Sequence, residues 1–482
     1  MISFQPISNI VGVQILIVGV LMWTSVPFGL YFGDGDAWPL FWSGLISIVF
    51  GGGIWAYKFS LSTSINKKEG YIIVVLGWML MVLFGTLPYL FSGVTSGFID
   101  AFFETMSGMT TTGATIFTDI ESLPRGLLFW RSMTQWIGGM GIIVLTVAIF
   151  PLLGFGGTEL FVAEAPGPTS DKLHPRIQET AKRLWLIYLG LTVTLCLILT
   201  FMGLGFYDGI NHALTTMATG GFSTKNDSIA HFGPAVQYVL ILFMLFAGTN
   251  YAVLYLALKR KWASIWRYDE FKFYLFLVFG VAIFFTLVMV FKLDRGVEES
   301  FREALFTVVS LVTTTGFVNA DYTSWTLLLT FISFTLLFFG ANAGSTSGGI
   351  KLVRHAVFLK NIYLEFKRIL HPRAVIPLRL NGTVVRSRVL VNILVFLLVY
   401  IGIFLVGSTI LVGSGVDFST SIGAVATSLG NVGPAIGSVG PVDNFAHFSG
   451  GIKLFLSFIM LIGRLELFTV ILLLMPFFWQ KG

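Results

Sequence analysis

Long apolar runs alternate with short polar segments along the whole chain. A helix needs roughly 20 apolar residues to cross the hydrocarbon core of a bilayer. Ten runs approach or exceed that length, and nine of them contain no charged side chain. The runs span residues 11–31, 37–57, 71–99, 132–158, 184–207, 230–258, 273–291, 322–350, 389–416 and 454–480. The pattern predicts an all-α polytopic membrane protein with ten crossings.

The composition narrows the possible classes of function. Of the 482 residues, 55% are hydrophobic and 11% are charged, and the mean hydropathy is +0.85. A soluble domain carries about a quarter charged residues, and ten crossings leave no stretch long enough for a catalytic or nucleotide-binding domain. The first run lacks a basic start and a small-residue cleavage site, so we expect a retained helix and not a signal peptide.

Side chains for catalysis or metal binding are sparse. The single cysteine, Cys196, lies in an apolar run, and no two of the six histidines have the spacing of metal ligands. The glycine clusters at 51–53 and 138–141 do not continue into a P-loop, so we expect them to be helix contacts. The chain is therefore not expected to be an enzyme or to bind a cofactor.

Basic residues concentrate in alternate loops. Of the 30 Lys and Arg residues, 22 lie in residues 58–69, 159–183, 259–272 and 351–388 or at position 481. The positive-inside rule makes these loops and both termini cytoplasmic. Membrane topology thus accounts for the net charge of +6, and we expect no nucleic-acid partner.

Four segments on the opposite side share one organisation. Each begins with a short amphipathic or apolar stretch and then changes to Thr, Gly, Asn and Ser. Their centres read Thr-Thr-Thr-Gly at 110–113, Met-Ala-Thr-Gly at 217–220, Thr-Thr-Thr-Gly at 313–316 and Gly-Asn-Val-Gly at 430–433. The chain is predicted to contain four repeats of helix, half-helix, turn and helix behind a two-helix prefix. The boundaries are 1–66 for the prefix and 67–158, 159–262, 263–370 and 371–482 for the repeats.

The predicted turns suit a monovalent cation. Acids near the start of two half-helices, Asp100 and Glu303, are typical of helix N-termini, so each half-helix points its negative C-terminal end at a turn. Backbone polar groups at membrane depth are tolerated where they are buried in protein or line a cavity, and Thr/Gly strands can aim carbonyl oxygens at an ion. Close helix packing would explain one such turn. Four turns in equivalent places favour a pore.

A glycine-rich segment after the third turn is expected to interrupt a helix, because glycine is costly in helices and hydroxyl groups compete for backbone bonds. The alternative is a cytoplasmic loop at the end of a span from Tyr322. Against it, the other repeats are expected to keep apolar helix at the equivalent depth. The segment consists of Gly340, Ala341, Asn342, Ala343, Gly344, Ser345, Thr346, Ser347, Gly348 and Gly349.

Two charged residues, Arg464 and Glu466, lie inside the last apolar run. Intramembrane charges are costly enough to be functional candidates. The two do not share a helix face, so each needs another partner. The alternative is an Arg464 paired to an acid purely for packing. Glu104 and Arg131 are expected to form a structural pair behind the first turn.

With these motifs the chain resembles the Trk/Ktr/HKT superfamily of potassium transporters, in the branch of the membrane subunits of bacterial Trk systems. The motifs TTTGAT at 110–115, MATGGFST at 217–224, TTTGF at 313–317 and GNVGP at 430–434 match the four filter turns of that family. The resemblance implies that each repeat acts like one subunit of a tetrameric potassium channel, around a pseudo-fourfold pore. It assigns K⁺ binding to the filter residues Thr111, Thr112, Gly113, Thr219, Gly220, Thr314, Thr315, Gly316, Asn431, Val432 and Gly433.

The resemblance also implies a gate. It places an intramembrane gating loop at 340–349 below the filter and matches Arg464 to a pore-facing arginine that opposes cation passage. Glycine at all four filter positions favours potassium over sodium, although the remaining filter residues depart from the channel signature TVGYG. The implied partners are membrane lipid, a second copy in a homodimer, and a cytoplasmic nucleotide-binding regulator resembling TrkA, all at the inner membrane.

The predicted function is potassium uptake through this gated filter. The alternative is a potassium symporter coupled to H⁺ or Na⁺, in which discontinuous helices bind substrate at mid-membrane and the repeats rock. Folds of that kind commonly use inverted two-fold repeats. Four repeats in one orientation favour a single axial pore.

Overall fold

The computed structural model describes residues 3–57, 66–141, 177–385 and 387–480 of the chain. Nearly all of its regular structure is helical, with one two-stranded hairpin in the described residues. This architecture confirms the all-α fold class. The expected positions of the two termini and of the loops at 58–65 and 159–176 fall outside the described residues, and the cytoplasmic location of the termini stays a prediction.

The two-helix prefix packs through glycines. It consists of α1 (Phe4–Trp23), α2 (Val26–Phe32) and α3 (Ala37–Tyr57). A Cβ atom on Gly12 would lie 2.8 Å from the carbonyl oxygen of Gly51, and one on Gly51 would lie 2.6 Å from that of Gly12. The two backbones touch directly, as small residues permit in membrane helices, so the expected helix contact at Gly51 is confirmed.

The first repeat begins with a capped helix. Glu69 accepts a hydrogen bond of 2.9 Å from the amide of Asn66, the residue before the helix. At its other end, the carbonyl oxygen of Gly85 accepts from the Trp130 indole at 3.1 Å. The elements are α4 (Lys67–Gly85), α5 (Leu87–Ser92), the half-helix α6 (Phe98–Met109), α7 (Arg125–Trp136) and a π-helical turn (Ile137–Gly141).

The second and third repeats follow the same order. The second contains α8 (Ile177–Leu199), a π-helical turn (Thr200–Leu204), the half-helix α9 (Gly205–Ala218), α10 (Pro234–Ala247), α11 (Tyr251–Leu258) and α12 (Trp262–Ile265). The third contains α13 (Asp269–Leu293), the half-helix α14 (Val297–Val312), α15 (Leu327–Leu336), α16 (Leu352–Leu370) and the antiparallel strands β1 (Arg379–Leu380) and β2 (Thr383–Val384).

The fourth repeat closes the chain. Asp417 caps its half-helix by accepting a hydrogen bond of 2.9 Å from the amide of Thr420. The elements are α17 (Ser387–Gly413), the half-helix α18 (Phe418–Gly430), a 3₁₀ turn (Gly437–Val439), α19 (Gly450–Arg464), α20 (Phe468–Leu474) and α21 (Pro476–Trp479). The division of the chain at residues 66, 158, 262 and 370 stays a prediction.

Eight of the ten expected crossings have counterparts among the described residues. Six continuous stretches are long and apolar enough to span a membrane, and two bent pairs, α10 with α11 and α19 with α20, bring the number to eight. The expected run at 132–158 lies largely outside the described residues. The run at 322–350 contains the short helix α15 and a non-helical segment.

The expectation that only the third repeat interrupts its second helix is wrong. The chain bends by 106° between α10 and α11, just after Gly248, and by 117° between α19 and α20, just after Gly463. In the first repeat, α7 gives way to π-helix around Gly138, and α15 ends shortly before Gly340. Apolar composition indicates burial but carries no record of a bend, so the sequence pattern did not reveal these breaks.

Candidate functional site

The four turns have the same backbone conformation. The second residue of each, Thr111, Thr219, Thr314 or Asn431, is left-handed with φ of 53° or 54°. The next residue then donates its N–H to a carbonyl five residues back in the half-helix, at 2.8 to 3.0 Å in all four turns. The bonds run from Thr112 to Ser107, from Gly220 to Thr215, from Thr315 to Ser310 and from Val432 to Thr427.

The fourth residue of each turn is a glycine with positive φ, which other residues rarely adopt. These glycines are Gly113, Gly221, Gly316 and Gly433, with φ between 77° and 105°. Gly221, and not Gly220, is therefore the counterpart of Gly113, and the register expected for the second turn is shifted by one residue. Gly220 lies in the same turn at the position of Thr112. Consecutive glycines at 220 and 221 allowed both registers, and only the backbone angles distinguish them.

The turns pack on one another in a closed ring. A Cβ atom on Gly113 would meet the carbonyl oxygen of Gly220, and one on Gly433 would lie 2.7 Å from the carbonyl oxygen of Thr112. In the same way Gly221 faces the carbonyl of Thr315, and Gly316 faces that of Val432. Each turn thus touches the next, and the fourth touches the first.

The half-helices α6, α9, α14 and α18 all end at these turns, so four helix C-termini converge on the ring. Acids lie in the first turn at Asp100, Asp208 and Glu298. Glu303, expected at a helix start, lies instead in the second turn of α14 and forms an ion pair of 2.7 Å with Arg295. The expectation for Glu303 was wrong because α14 begins at Val297, before the apolar stretch that was expected to mark the start of the half-helix.

A buried ion pair stabilises the non-helical segments that follow the first two turns. Arg131 contacts Glu104 at 2.7 Å, and both side chains are almost fully buried. Glu104 accepts from the amide of Ile116 at 2.9 Å, and Arg131 donates to the carbonyl of Ser223 at 3.1 Å. The guanidinium also lies over the Phe222 ring at 3.4 Å. The expected structural pair is present and links two repeats.

The segment from Gly340 to Gly349 contains no helix and is largely buried against the turns. The amide of Gly348 donates to the hydroxyl of Thr314 at 2.6 Å, and the hydroxyl of Thr346 donates to the carbonyl of Met217 at 3.1 Å. A Cβ atom on Gly348 would lie 2.6 Å from the carbonyl oxygen of Gly430. The segment therefore contacts the end of half-helix α9, the third turn and the start of the fourth turn.

Arg464 joins this segment to the first repeat. It donates to the carbonyl of Thr346 at 2.9 Å and to those of Gly138 and Gly139 at 2.5 and 2.8 Å. Glu466 instead forms an ion pair of 2.6 Å with Arg354. The two residues have different partners, as expected, and they lie at the bend between α19 and α20.

Two residues that sequence reasoning missed hold the same segment. Glu270 accepts hydrogen bonds from the amides of Ala343 at 2.7 Å and Val353 at 3.0 Å. The Lys351 ammonium donates to the carbonyl and the hydroxyl of Ser347. An acid at the start of an apolar run is typical of any helix N-terminus, so the pattern did not single out Glu270.

The chain is similar to known cation transport proteins along nearly its whole length. Residues 40–481 match the model of the TrkH family, described as cation transport proteins. The chain is 38% identical over 484 residues to the Trk system potassium uptake protein TrkH of Escherichia coli K12, covering 99% of this chain and 100% of that protein. It is 33% identical to the Trk system potassium uptake protein TrkG of the same strain, covering 99% of each.

A solved structure matches over the same extent. The crystal structure of the potassium transporter TrkH from Vibrio parahaemolyticus superposes with a TM-score of 0.88 at 33% sequence identity. The match covers 99% of this chain and 100% of that one. The arrangement of helices described above is thus similar to a fold determined by crystallography.

Proposed function

The chain belongs to the TrkH family of cation transport proteins, and from that premise we propose that it takes up potassium across the inner membrane through the ring of four turns. Its relatives in Escherichia coli are named potassium uptake proteins and not enzymes. Potassium is the transported ion, and no cofactor takes part.

The observation that carries this proposal is the closed ring. Four turns with one backbone geometry contact each other in sequence, glycine against carbonyl, and each follows a half-helix. A ring of Thr and Gly backbone carbonyls can replace the hydration shell of a monovalent cation by many weak dipoles. The converging helix C-termini add negative potential at the same place.

We further propose that the segment 340–349 and Arg464 form the gate. The segment contacts the end of α9 and the third turn. Arg464 joins it to the π-helical turn that follows α7 in the first repeat. A guanidinium below the ring opposes the approach of a cation. Conduction then requires the segment and Arg464 to move together.

The chain is proposed to work as a homodimer with a cytoplasmic nucleotide-binding regulator. The relatives' names refer to a Trk system. Exposed basic residues where the second repeat meets the third form a surface that suits such a partner: Lys259, Arg260, Lys261 and Arg267. Anionic lipid headgroups would fit the same charge.

Flux in liposomes tests the proposal. Purified protein is reconstituted and the reversal potential is measured in a potassium gradient, without and with an added proton or sodium gradient. A reversal potential that equals the potassium equilibrium potential, and does not change when a proton or sodium gradient is added, supports a pore. A reversal that moves with the proton gradient, or with the sodium gradient by more than the measured sodium permeability accounts for, supports the coupled symporter and contradicts the pore.

A further inference from the structure

The four turns share a backbone but are not braced by the same side chains. In the first turn the hydroxyls of Thr110 and Thr112 lie 2.8 Å apart, and in the third those of Thr313 and Thr315 lie 2.7 Å apart. The first hydroxyl of each pair also donates to a half-helix carbonyl at 2.7 Å. These buried pairs tie the start of the turn to the residue whose carbonyl faces the glycine of the preceding turn in the ring.

The second turn has no such pair, because Ala218 and Gly220 occupy the two positions. The side chain of Gln135, which comes from α7 of the first repeat, lies there instead. Its Nε2 donates to the carbonyl of Gly220 at 2.6 Å, and its Oε1 accepts from the amide of Phe222 at 3.1 Å. Gln135 is completely buried, so one amide side chain satisfies a donor and an acceptor on either side of Gly221.

The requirement for glycine at position 220 comes from the neighbouring Gln135 side chain and not from the backbone conformation of Gly220. Its φ lies outside the left-handed region that Gly221 adopts. A Cβ atom at Gly220 would collide with the Gln135 amide, whose Nε2 would be 2.7 Å away. Gly220 and Gln135 are therefore complementary.

The other repeats carry apolar residues at the position of Gln135. It lies three residues before Gly138, the glycine at which its helix changes. The residues three before Gly248, Gly340 and Gly463 are Leu245, Leu337 and Met460.

The fourth turn also lacks a hydroxyl pair, since Gly430 and Val432 occupy the two positions, but it has an amide of its own. The Asn431 side chain donates to the Thr112 hydroxyl and to the carbonyl of Met460, both at 3.0 Å. Among the residues that the structure describes, only the second turn is held by an amide from the helix of another repeat.

We infer that Gln135 is a positioning residue for the second turn and thereby sets cation selectivity, taking over from a neighbouring repeat the role that threonine pairs fill in the first and third turns. The inference rests on the proposed filter function. Without the amide, the carbonyl of Gly220 and the amide of Phe222 are left unpaired in a buried site. Two consecutive glycines then lose the contact that restricts them, and the carbonyl positions that discriminate between cations change.

The test compares potassium-to-sodium permeability ratios of reconstituted variants. Gln135→Met keeps the length and volume of the side chain and removes only its hydrogen bonds. We expect the ratio to fall about fivefold, the factor that one net hydrogen bond corresponds to. The triple variant Gln135→Leu, Ala218→Thr, Gly220→Thr rebuilds the arrangement of the third turn, with its threonine pair beside a leucine, and should restore the wild-type ratio.

Two controls accompany these variants. Gln14→Leu removes another buried glutamine, in α1, and should leave the ratio unchanged. Gly113→Ser tests the filter itself: if it changes the ratio and folded Gln135→Met does not, the inference about Gln135 is overturned and the filter stands. If neither variant changes the ratio, the proposed function fails. Should Gln135→Met not fold, the triple variant decides, because a folded triple variant with an altered ratio also overturns the inference.

Discussion

The backbone amide of Gly348 donates a hydrogen bond of 2.6 Å to the hydroxyl of Thr314. One residue belongs to the segment 340–349 and the other is the left-handed residue of the third turn. The segment is thus held in place partly by the ring of turns. It cannot move away without leaving one buried amide unpaired.

Replacing Thr314 by Val should loosen the segment. The substitution keeps the shape of the side chain and removes the acceptor for Gly348, which costs about 1 kcal/mol or somewhat more. We expect basal potassium flux to rise roughly fivefold, measured in liposomes without any regulator. Thr111→Val is the matched control, because the Thr111 hydroxyl has no hydrogen-bond partner among the described residues. Equal flux in the two variants would contradict the coupling.

Gly113→Ser should weaken discrimination between potassium and sodium. At φ of 83° a side chain is strained, and its Cβ atom would meet the carbonyl of Gly220. The added hydroxyl also offers a hard ligand that suits sodium. Gly316→Ser, at φ of 77°, is expected to act in the same direction.

The control for these two variants is Gly93→Ser. Gly93 also has positive φ, at 69°, but a Cβ atom there would meet nothing within 4 Å. The Gly93→Ser variant therefore shows the effect of backbone strain alone, without contact between the new side chain and a neighbouring turn. A permeability ratio for Gly113→Ser equal to that of wild type would exclude Gly113 from the filter.

The fold and the existence of the four turns could be predicted because both leave local signals. Apolar runs of membrane length mark the helices, and Thr or Asn before glycine after an amphipathic stretch marks each turn. The register of the second turn could not be predicted. The register is defined by the positive φ of Thr219 and Gly221. From the sequence alone, either Gly220 or Gly221 could be the fourth residue of the turn.

Contacts between distant parts of the chain were equally invisible. Glu270 holds the amides of Ala343 and Val353, more than 70 residues away in sequence. Gln135 reaches Gly220 across the boundary between repeats. The partner of a single glutamine or glutamate at the end of an apolar run cannot be predicted from the sequence pattern, because it depends on how the helices pack.

Arg464→Ala should raise basal flux. The substitution removes the positive charge that we propose as the barrier and releases the carbonyls of Thr346, Gly138 and Gly139. A barrier lower by about 1.4 kcal/mol gives a tenfold increase in rate, and we expect an effect of roughly that size. Arg302→Ala, which removes an arginine paired with Glu298 near the start of α14, is the control. Unchanged or reduced flux in folded Arg464→Ala protein would rule out the barrier role.

Shortening the segment should separate gating from selectivity. Deletion of Gly344 and Ser345 leaves the hydrogen bonds that close its base, from Gly340 to the carbonyl of Ile350 at 2.8 Å and from Leu352 to that of Ala341 at 3.1 Å. The shortened segment can no longer bring Thr346 to the end of α9 and Gly348 to the third turn at once. Basal flux should therefore rise several-fold while the permeability ratio, set by the unaltered turns, stays close to that of wild type.

Ser345→Ala, which preserves the length of the segment, is the control for this deletion. It removes only the bonds that the Ser345 hydroxyl makes with Asn342 and Ser347, so flux should remain near the wild-type level. Both quantities are read from the same liposome recordings. A deletion that alters the permeability ratio without raising flux would mean that the segment supports the ring from below, and that the barrier to conduction lies elsewhere in the chain.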